Sequence, residues 1–128
     1  HKRGYLMTKI LVVEDDVSFR NVLVQMLKNS GYFVQQAGDG DQALEKCCEF
    51  DPDIVITDII MPNKEGLETI QDLMAIKPGI KIIAMSGGGK YGPYSYLPLA
   101  LKLGAKAVLE KPFMRNEMIE VIEKVLNS

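Results

Sequence analysis

Several short apolar runs of this 128-residue sequence end in, or are followed by, side chains that suit one kind of chemistry. These side chains are Glu14, Asp15, Asp58, Ser86 and Lys111. Clustered carboxylates attract Mg²⁺, which prefers oxygen ligands. A carboxylate can also act as a nucleophile and form an aspartyl phosphate, while a lysine and a hydroxyl bind phosphoryl oxygens. The set predicts Mg²⁺-assisted phosphoryl transfer if the fold brings the four segments together.

Three consecutive carboxylates, Glu14, Asp15 and Asp16, follow the first apolar run. Neighbouring anions repel, so at least one should resist ionisation unless a cation or hydrogen-bond donors offset the repulsion. A bound Mg²⁺ would supply that offset. Each acid also has a simpler explanation, since Asp16 can cap a following helix and Asp15 can favour its positive N-terminus. The presence of complementary groups after four separate segments favours a shared site.

The elements that must position these residues alternate between strands and helices. Short apolar runs predict strands at 10–13, 32–37, 54–57, 80–85 and 106–109, with a flexible Gly-rich loop at 86–93. Apolar residues three and four apart predict five helices, the last two at 94–103 and 114–127. The first helix is predicted from Phe19, Val22, Leu23, Met26 and Leu27. This order predicts an α/β fold of the (βα)5 type: a doubly wound, parallel five-stranded sheet, which binds ligands beyond the carboxyl ends of its strands.

Composition narrows the function classes. A net charge of −2 argues against a general nucleic-acid binder, and no apolar run approaches the roughly 20 residues that cross a membrane. The adjacent Cys47 and Cys48 are interpreted as helix-face packing residues in a reducing cytoplasm. Residues 1–6 precede Met7 and are interpreted as a tail outside a single domain of residues 7–128.

Four segments together resemble a known family. "ILVVEDD", "PDIVITDIIMP", "IIAMSG" and "LGAKAVLEKPF" are similar to the marker segments of receiver domains in two-component response regulators. The resemblance spans residues 8–127. It implies a CheY-like, flavodoxin-like fold with strand order 2-1-3-4-5.

The resemblance also implies a role for each candidate residue. Asp58 matches the phosphoacceptor, Ser86 the switch hydroxyl and Lys111 the lysine that contacts the phosphoryl group, with a cis Lys111–Pro112 bond. The implied Mg²⁺ ligands are Glu14 through water, Asp15 directly, Asp58, and the backbone carbonyl of Ile60.

The function that follows is a phosphorylation-activated receiver. It would take its phosphoryl group from a sensor histidine kinase or phosphotransfer protein and switch a partner or output domain. It would be no enzyme beyond its own phosphorylation and dephosphorylation. We expect it to be cytoplasmic, without direct nucleic-acid or membrane binding, and a homodimer through residues 94–127 is a further expectation.

Three other functions fit parts of the sequence. A phosphorylation-independent pseudo-receiver is disfavoured by the intact acids, Ser86 and Lys111. A hydrolase with an aspartyl-phosphate intermediate is disfavoured by Ile60, which stands where a second acid would be expected. A flavin site at the glycine cluster is disfavoured because the acidic edge would repel a phosphate. Val108 departs from the family pattern, which often has an aromatic residue there and uses it in the switch.

Overall fold

A computed structural model describes residues 7–59, 65–87 and 97–128. Within these residues strands and helices alternate along the chain. They are β1 (Lys9–Val13), α1 (Val17–Asn29), β2 (Phe33–Ala37), α2 (Gly40–Phe50), β3 (Ile54–Asp58), α3 (Glu65–Ile76), β4 (Lys81–Gly87), α4 (Leu97–Leu103), β5 (Ala107–Lys111) and α5 (Arg115–Leu126). The five strands pair in parallel in the order β2-β1-β3-β4-β5. The predicted fold class and strand order are confirmed.

Two apolar layers cover the two faces of the sheet. Alternate residues of each strand point to opposite faces, so Ile10 and Val12 contribute to one layer and Leu11 and Val13 to the other. The first layer contains the buried faces of α1 and α5, and the second those of α2, α3 and α4. The central strand β3 is buried along its whole length. Because all the pairings are parallel, the carboxyl ends of the five strands lie at one edge of the sheet.

The turn out of β1 is set by a helix cap. The Asp16 carboxylate accepts a hydrogen bond from the Phe19 N–H at 3.0 Å, which satisfies one of the unpaired donors of the first turn of α1. Asp39 caps α2 in the same way, through the Gln42 N–H. The predicted capping role of Asp16 is confirmed, and this cap determines where the chain leaves the sheet after the acidic pair.

The last two strands extend further than the sequence predicts. β4 continues to Gly87 and β5 to Lys111, because the ladder between them pairs Ser86 with Glu110 and Gly87 with Lys111. The prediction that Ser86 begins a loop is wrong, as is the predicted end of the fifth strand at Leu109. Ser86, Gly87, Glu110 and Lys111 are not apolar, so they do not continue the sequence pattern of a buried strand. Their strand conformation depends on pairing with a segment that is distant in sequence.

The apolar stripe of α1 differs from the predicted one at two positions. Val22 is exposed, whereas Val24 is buried beside Leu23 and Leu27. The predicted stripe and the observed one share Leu23 and Leu27. A helix that lies on a sheet buries a face wide enough to include Val24 as well. The three-and-four spacing alone does not choose between residues 22 and 24.

The cysteine prediction is half right. Cys47 is buried in the α2 face and Cys48, about 100° further around the helix, is exposed, so only Cys47 packs against the core. None of the helices in the described ranges is both long and apolar enough to cross a membrane. The predicted tail at 1–6, residues 88–93 of the predicted loop and residues 94–96 of the predicted fourth helix lie outside the described residues.

Gly66 marks a close approach between α3 and the end of β3. A Cβ atom at this position would lie 2.4 Å from the Ile59 Cα and 2.7 Å from the Asp58 carbonyl oxygen. Both neighbours are backbone atoms, which cannot rotate away as a side chain would. The first turn of α3 can therefore pack beside Asp58 only because residue 66 has no side chain.

We predict that Gly66→Ala lowers the free energy of unfolding by about 1–3 kcal/mol, the usual range for overpacking. In an unconstrained helix the same change typically stabilises by about 0.5–1 kcal/mol, so the sign of the effect tests the contact. Urea unfolding followed by circular dichroism would measure it. The matched control is Gly79→Ala, where an added Cβ meets no atom within 4 Å. A Gly66→Ala variant as stable as the parent would contradict the close approach.

Candidate functional site

The carboxyl edge of the sheet collects the predicted acids and the predicted lysine. Glu14 and Asp15 follow β1, Asp58 ends β3 and Lys111 ends β5. Carboxylate oxygens of Glu14, Asp15 and Asp58 all lie within 4.8 Å of one another. Glu14 and Asp58 are buried, whereas Asp15 is exposed. The structure therefore forms one acidic site whose accessible side is Asp15.

The Lys111 ammonium bridges the two buried carboxylates. Its Nζ donates to the Glu14 Oε1 at 2.6 Å and to the Asp58 Oδ2 at 3.1 Å. Charge-assisted hydrogen bonds of this kind are stronger than neutral ones, and burial reduces the screening of the charges. Lys111 thus offsets part of the repulsion among the acids.

The environment of Glu14 raises the pKa of this carboxyl group to about 7. Burial is the main cause, because only 1% of the residue is exposed and the charged form loses its water. The Asp58 charge raises the pKa further, while hydrogen bonds from Lys111 and the Asp16 N–H lower it. The pKa of Lys111 is raised: burial lowers it, but the hydrogen bonds and charges of Glu14 and Asp58 outweigh burial. The site therefore favours additional positive charge.

Two aromatic rings, those of Phe19 and Phe113, lie beside the site. The sequence patterns do not predict this position for either ring. The Lys111 Nζ is 4.3 Å from the centroid of the Phe19 ring, a cation–π distance. Phe113 meets Phe19 edge to face, with ring centroids 6.0 Å apart. The apolar pattern predicts Phe19 only as a core residue of α1. Its place in the first turn after the acidic pair is the sequence signal for this second role.

The donor set of the acidic cluster fits a small, hard cation. Carboxylate oxygens are the ligands that Mg²⁺ prefers, and an exposed Asp15 leaves room for the waters that Mg²⁺ usually retains. The raised pKa of Glu14 is consistent with such a cation, since positive charge stabilises the ionised carboxylate. Ile60, whose carbonyl was predicted as a ligand, lies outside the described residues.

Ser86 lies on the strand next to that of Asp58. It is buried, and it follows Met85, the register partner of Asp58 between β3 and β4. Val108, on the neighbouring strand β5, is partly buried against the layer that contains α3 and α4. The Lys111–Pro112 peptide bond is cis, as expected. The structure thus brings the predicted acids and Lys111 into contact and places Ser86 at the same edge.

Comparison with known proteins agrees with this geometry. The family model of the response regulator receiver domain matches residues 10–123. The chemotaxis protein CheY of Listeria monocytogenes is 37% identical over 119 residues, which cover 92% of this chain and 98% of that protein. A crystal structure of a CheY-like receiver domain protein from Methanospirillum hungatei has a TM-score of 0.83 at 28% identity, covering 94% of each chain.

A further relative is a longer protein. The DNA-binding transcriptional regulator NtrC of Azospirillum brasilense is 35% identical over 122 residues, which cover 93% of this chain and 24% of NtrC. The same sequence pattern therefore occurs both in proteins of this length and as about a quarter of a larger regulator.

The bridging role of Lys111 leads to a prediction about stability. In metal-free buffer, Lys111→Met should lower the free energy of unfolding by about 3 kcal/mol, because it leaves buried carboxylates without their cation. Denaturant unfolding in the presence of EDTA would measure this loss. Lys106→Met, a change at an exposed lysine, is the matched control and should stay within about 0.5 kcal/mol of the parent.

A double variant tests whether the loss of stability in Lys111→Met comes from the unpaired charge of Glu14. Glu14→Gln combined with Lys111→Met should be more stable than Lys111→Met alone, since a neutral amide does not need the ammonium. Equal losses for Lys111→Met and Lys106→Met would show that the bridge contributes nothing.

Proposed function

Because this chain belongs to the response regulator receiver family of two-component signalling, we propose that Asp58 accepts a phosphoryl group in a Mg²⁺-dependent reaction that switches the protein between two states. The donor would be a sensor histidine kinase or a phosphotransfer protein. The observation that carries the proposal is the contact of the Lys111 Nζ with both Glu14 and Asp58 at the carboxyl edge of the sheet. This arrangement surrounds one carboxylate with the charges that phosphoryl transfer requires.

In the proposed reaction an Asp58 carboxylate oxygen attacks the phosphorus of a phosphohistidine. The new O–P bond forms as the P–N bond breaks, and the electron pair returns to the imidazole. Asp58 is suited to this role because it ends the fully buried central strand, which holds it in place. The Lys111 ammonium, already hydrogen-bonded to Asp58, would move with the charge and contact an oxygen of the transferred group.

The acidic pair would hold the metal ion. Asp15 would bind it directly and Glu14 through water, with Asp58 and the Ile60 carbonyl completing the protein ligands. When bound, Mg²⁺ would neutralise the repulsion between the carboxylates and the incoming phosphoryl oxygens. The buried position of Glu14 and the exposed position of Asp15 support this division of roles.

Ser86 would carry the signal away from Asp58. Its hydroxyl can donate a hydrogen bond to the phosphoryl group from the adjacent strand. Val108 has no ring to turn inward and little rotamer freedom, so the change should run through residues 86–103 rather than through an aromatic side chain of β5. Residues 88–96 of that path lie outside the described residues.

The competing function is a pseudo-receiver that binds a partner without phosphorylation. The contacts of Lys111 with Glu14 and Asp58 favour the phosphorylated function, since a binding module would have no need to keep buried charges together. The proposal includes an output, which is either a separate partner or a further domain as in longer relatives. It also includes self-association through residues 94–127.

The phosphoacceptor can be tested by mass spectrometry. Incubation with Mg²⁺ and phosphoramidate should add one phosphoryl group to the protein, and Asp58→Asn should abolish the addition because an amide is not a nucleophile of this kind. Asp41→Asn, at an exposed acid of α2, is the matched control and should be labelled like the parent. Labelling of Asp58→Asn at the parental rate would refute the assignment.

The metal site can be tested by thermal unfolding. Mg²⁺ should raise the melting temperature of the parent protein, since a ligand that binds only the folded state at one hundred times its Kd adds about 2.7 kcal/mol. Asp15→Asn should lose this response and should melt higher than the parent in EDTA, because one repelling charge is gone. Asp41→Asn should keep the response. A response that survives in Asp15→Asn would place the metal elsewhere.

A further inference from the structure

Glu14 is held at each of its polar groups. Its N–H donates to the Ala37 carbonyl at 3.0 Å, and its carboxylate accepts from Lys111 and from the Asp16 N–H. Its backbone carbonyl accepts from the Arg20 Nη1 at 2.8 Å. The first three bonds involve the backbone of β2, the opposite charge of Lys111 and the backbone N–H of Asp16. Only the fourth depends on a side chain that the proposed reaction does not use.

The carbonyl that Arg20 binds belongs to the peptide that joins Glu14 to Asp15. A peptide unit is planar, so the direction of this carbonyl also determines the direction in which the chain continues to Asp15. Asp15 is the exposed member of the acidic cluster and has no burial to hold it in place. A bond that orients the Glu14–Asp15 peptide therefore acts on the position of the Asp15 carboxylate.

Arg20 is itself anchored on a second segment. Its Nε donates to the Gln36 Oε1 on β2 at 3.2 Å. The guanidinium also lies against Gly38, where a Cβ atom would be 3.0 Å from Nη1. A planar guanidinium offers its donors in a fixed fork, so the two bonds hold the Glu14 carbonyl at a set distance from β2. The side chain spans from α1 across the end of β1 to β2.

We infer that Arg20 is a positioning residue for the metal site: it holds the Glu14–Asp15 peptide against β2 and so presents the Asp15 carboxylate toward Glu14 and Asp58. Arg20 would act through this peptide and would contact neither the metal nor the phosphoryl group. This inference rests on the proposed function, because it concerns the affinity of the same site.

The affinity of the parent protein and of Arg20→Met for MgCl₂ alone would be compared by isothermal titration calorimetry. Loss of groups that orient metal ligands usually weakens metal affinity about 10–100-fold, and we expect the lower end, about tenfold, because three other bonds still hold Glu14. Gln36→Leu leaves the bond from Arg20 to the Glu14 carbonyl but removes the bond that holds Arg20 on β2. It should therefore weaken the Mg²⁺ affinity less than Arg20→Met does. Arg20→Lys, with one donor group, should be intermediate.

A matched control separates positioning from stability. Arg115 donates to the Ser30 Oγ at 3.1 Å, between α5 and the end of α1, so Arg115→Met also removes an arginine hydrogen bond between elements. It should leave the Mg²⁺ affinity within twofold of the parent. An equal effect of Arg20→Met and Arg115→Met on the Kd would overturn the inference, as would an unchanged Kd in both Arg20→Met and Gln36→Leu.

Phosphorylation by phosphoramidate at increasing MgCl₂ gives a second readout. Arg20→Met should label slowly at low Mg²⁺ and approach the parental rate at saturating Mg²⁺, since only the position of a metal ligand has changed. A rate that stays low at saturation would contradict the positioning role. Failure of the parent protein to bind Mg²⁺ would instead refute the proposed function, so the two failures are distinguishable.

Discussion

The ion pair among Lys111, Glu14 and Asp58 is the interaction on which the arrangement of the site depends. Lys111 and Glu14 are 97 residues apart in sequence, and their side chains meet only because β5 lies beyond β4 in a parallel sheet. Removing water from two carboxylates is costly unless a cation replaces it. The ammonium supplies that charge at the end of an edge strand. The sheet order and the chemistry of the site are therefore linked.

Around this ion pair the site has a closed side and an open side. Phe19 and the buried Glu14 form the closed side, where screening by water is weak and each charge acts strongly on its neighbours. Asp15 forms the open side, where a cation can enter and keep part of its hydration. The helix cap at Asp16, the bond from the Asp16 N–H to the Glu14 carboxylate and the bond from Arg20 hold the backbone between the two sides. The exposed carboxylate and the buried, charge-balanced carboxylate thus belong to adjacent residues of one loop.

The lengths of β4 and β5 limit where a structural change at Asp58 could be transmitted. Ser86 is buried and lies within the ladder, so pairing with β5 holds its backbone. A rearrangement of Ser86 would therefore be limited to its side chain. Val108, on the partner strand, is stiff and packed against the helical layer. A structural change that begins at Asp58 would meet little freedom in the strands themselves.

The amino-acid sequence is enough to predict the number and order of the elements, because buried parallel strands are short apolar runs and each run is followed by a helical stripe. It also determined which residue types stand at the strand ends, and hence the class of chemistry. It did not determine that Ser86 and Lys111 lie inside strands, or that Val24 rather than Val22 is buried. Nor did it determine that Phe19 contacts Lys111 and that Arg20 binds the Glu14 carbonyl. Each of these depends on contacts with segments distant in sequence, and local patterns carry no information about which distant backbone or ring a side chain will meet. These features follow from strand ladders and packed layers, whose constraints arise when the five strand–helix units come together.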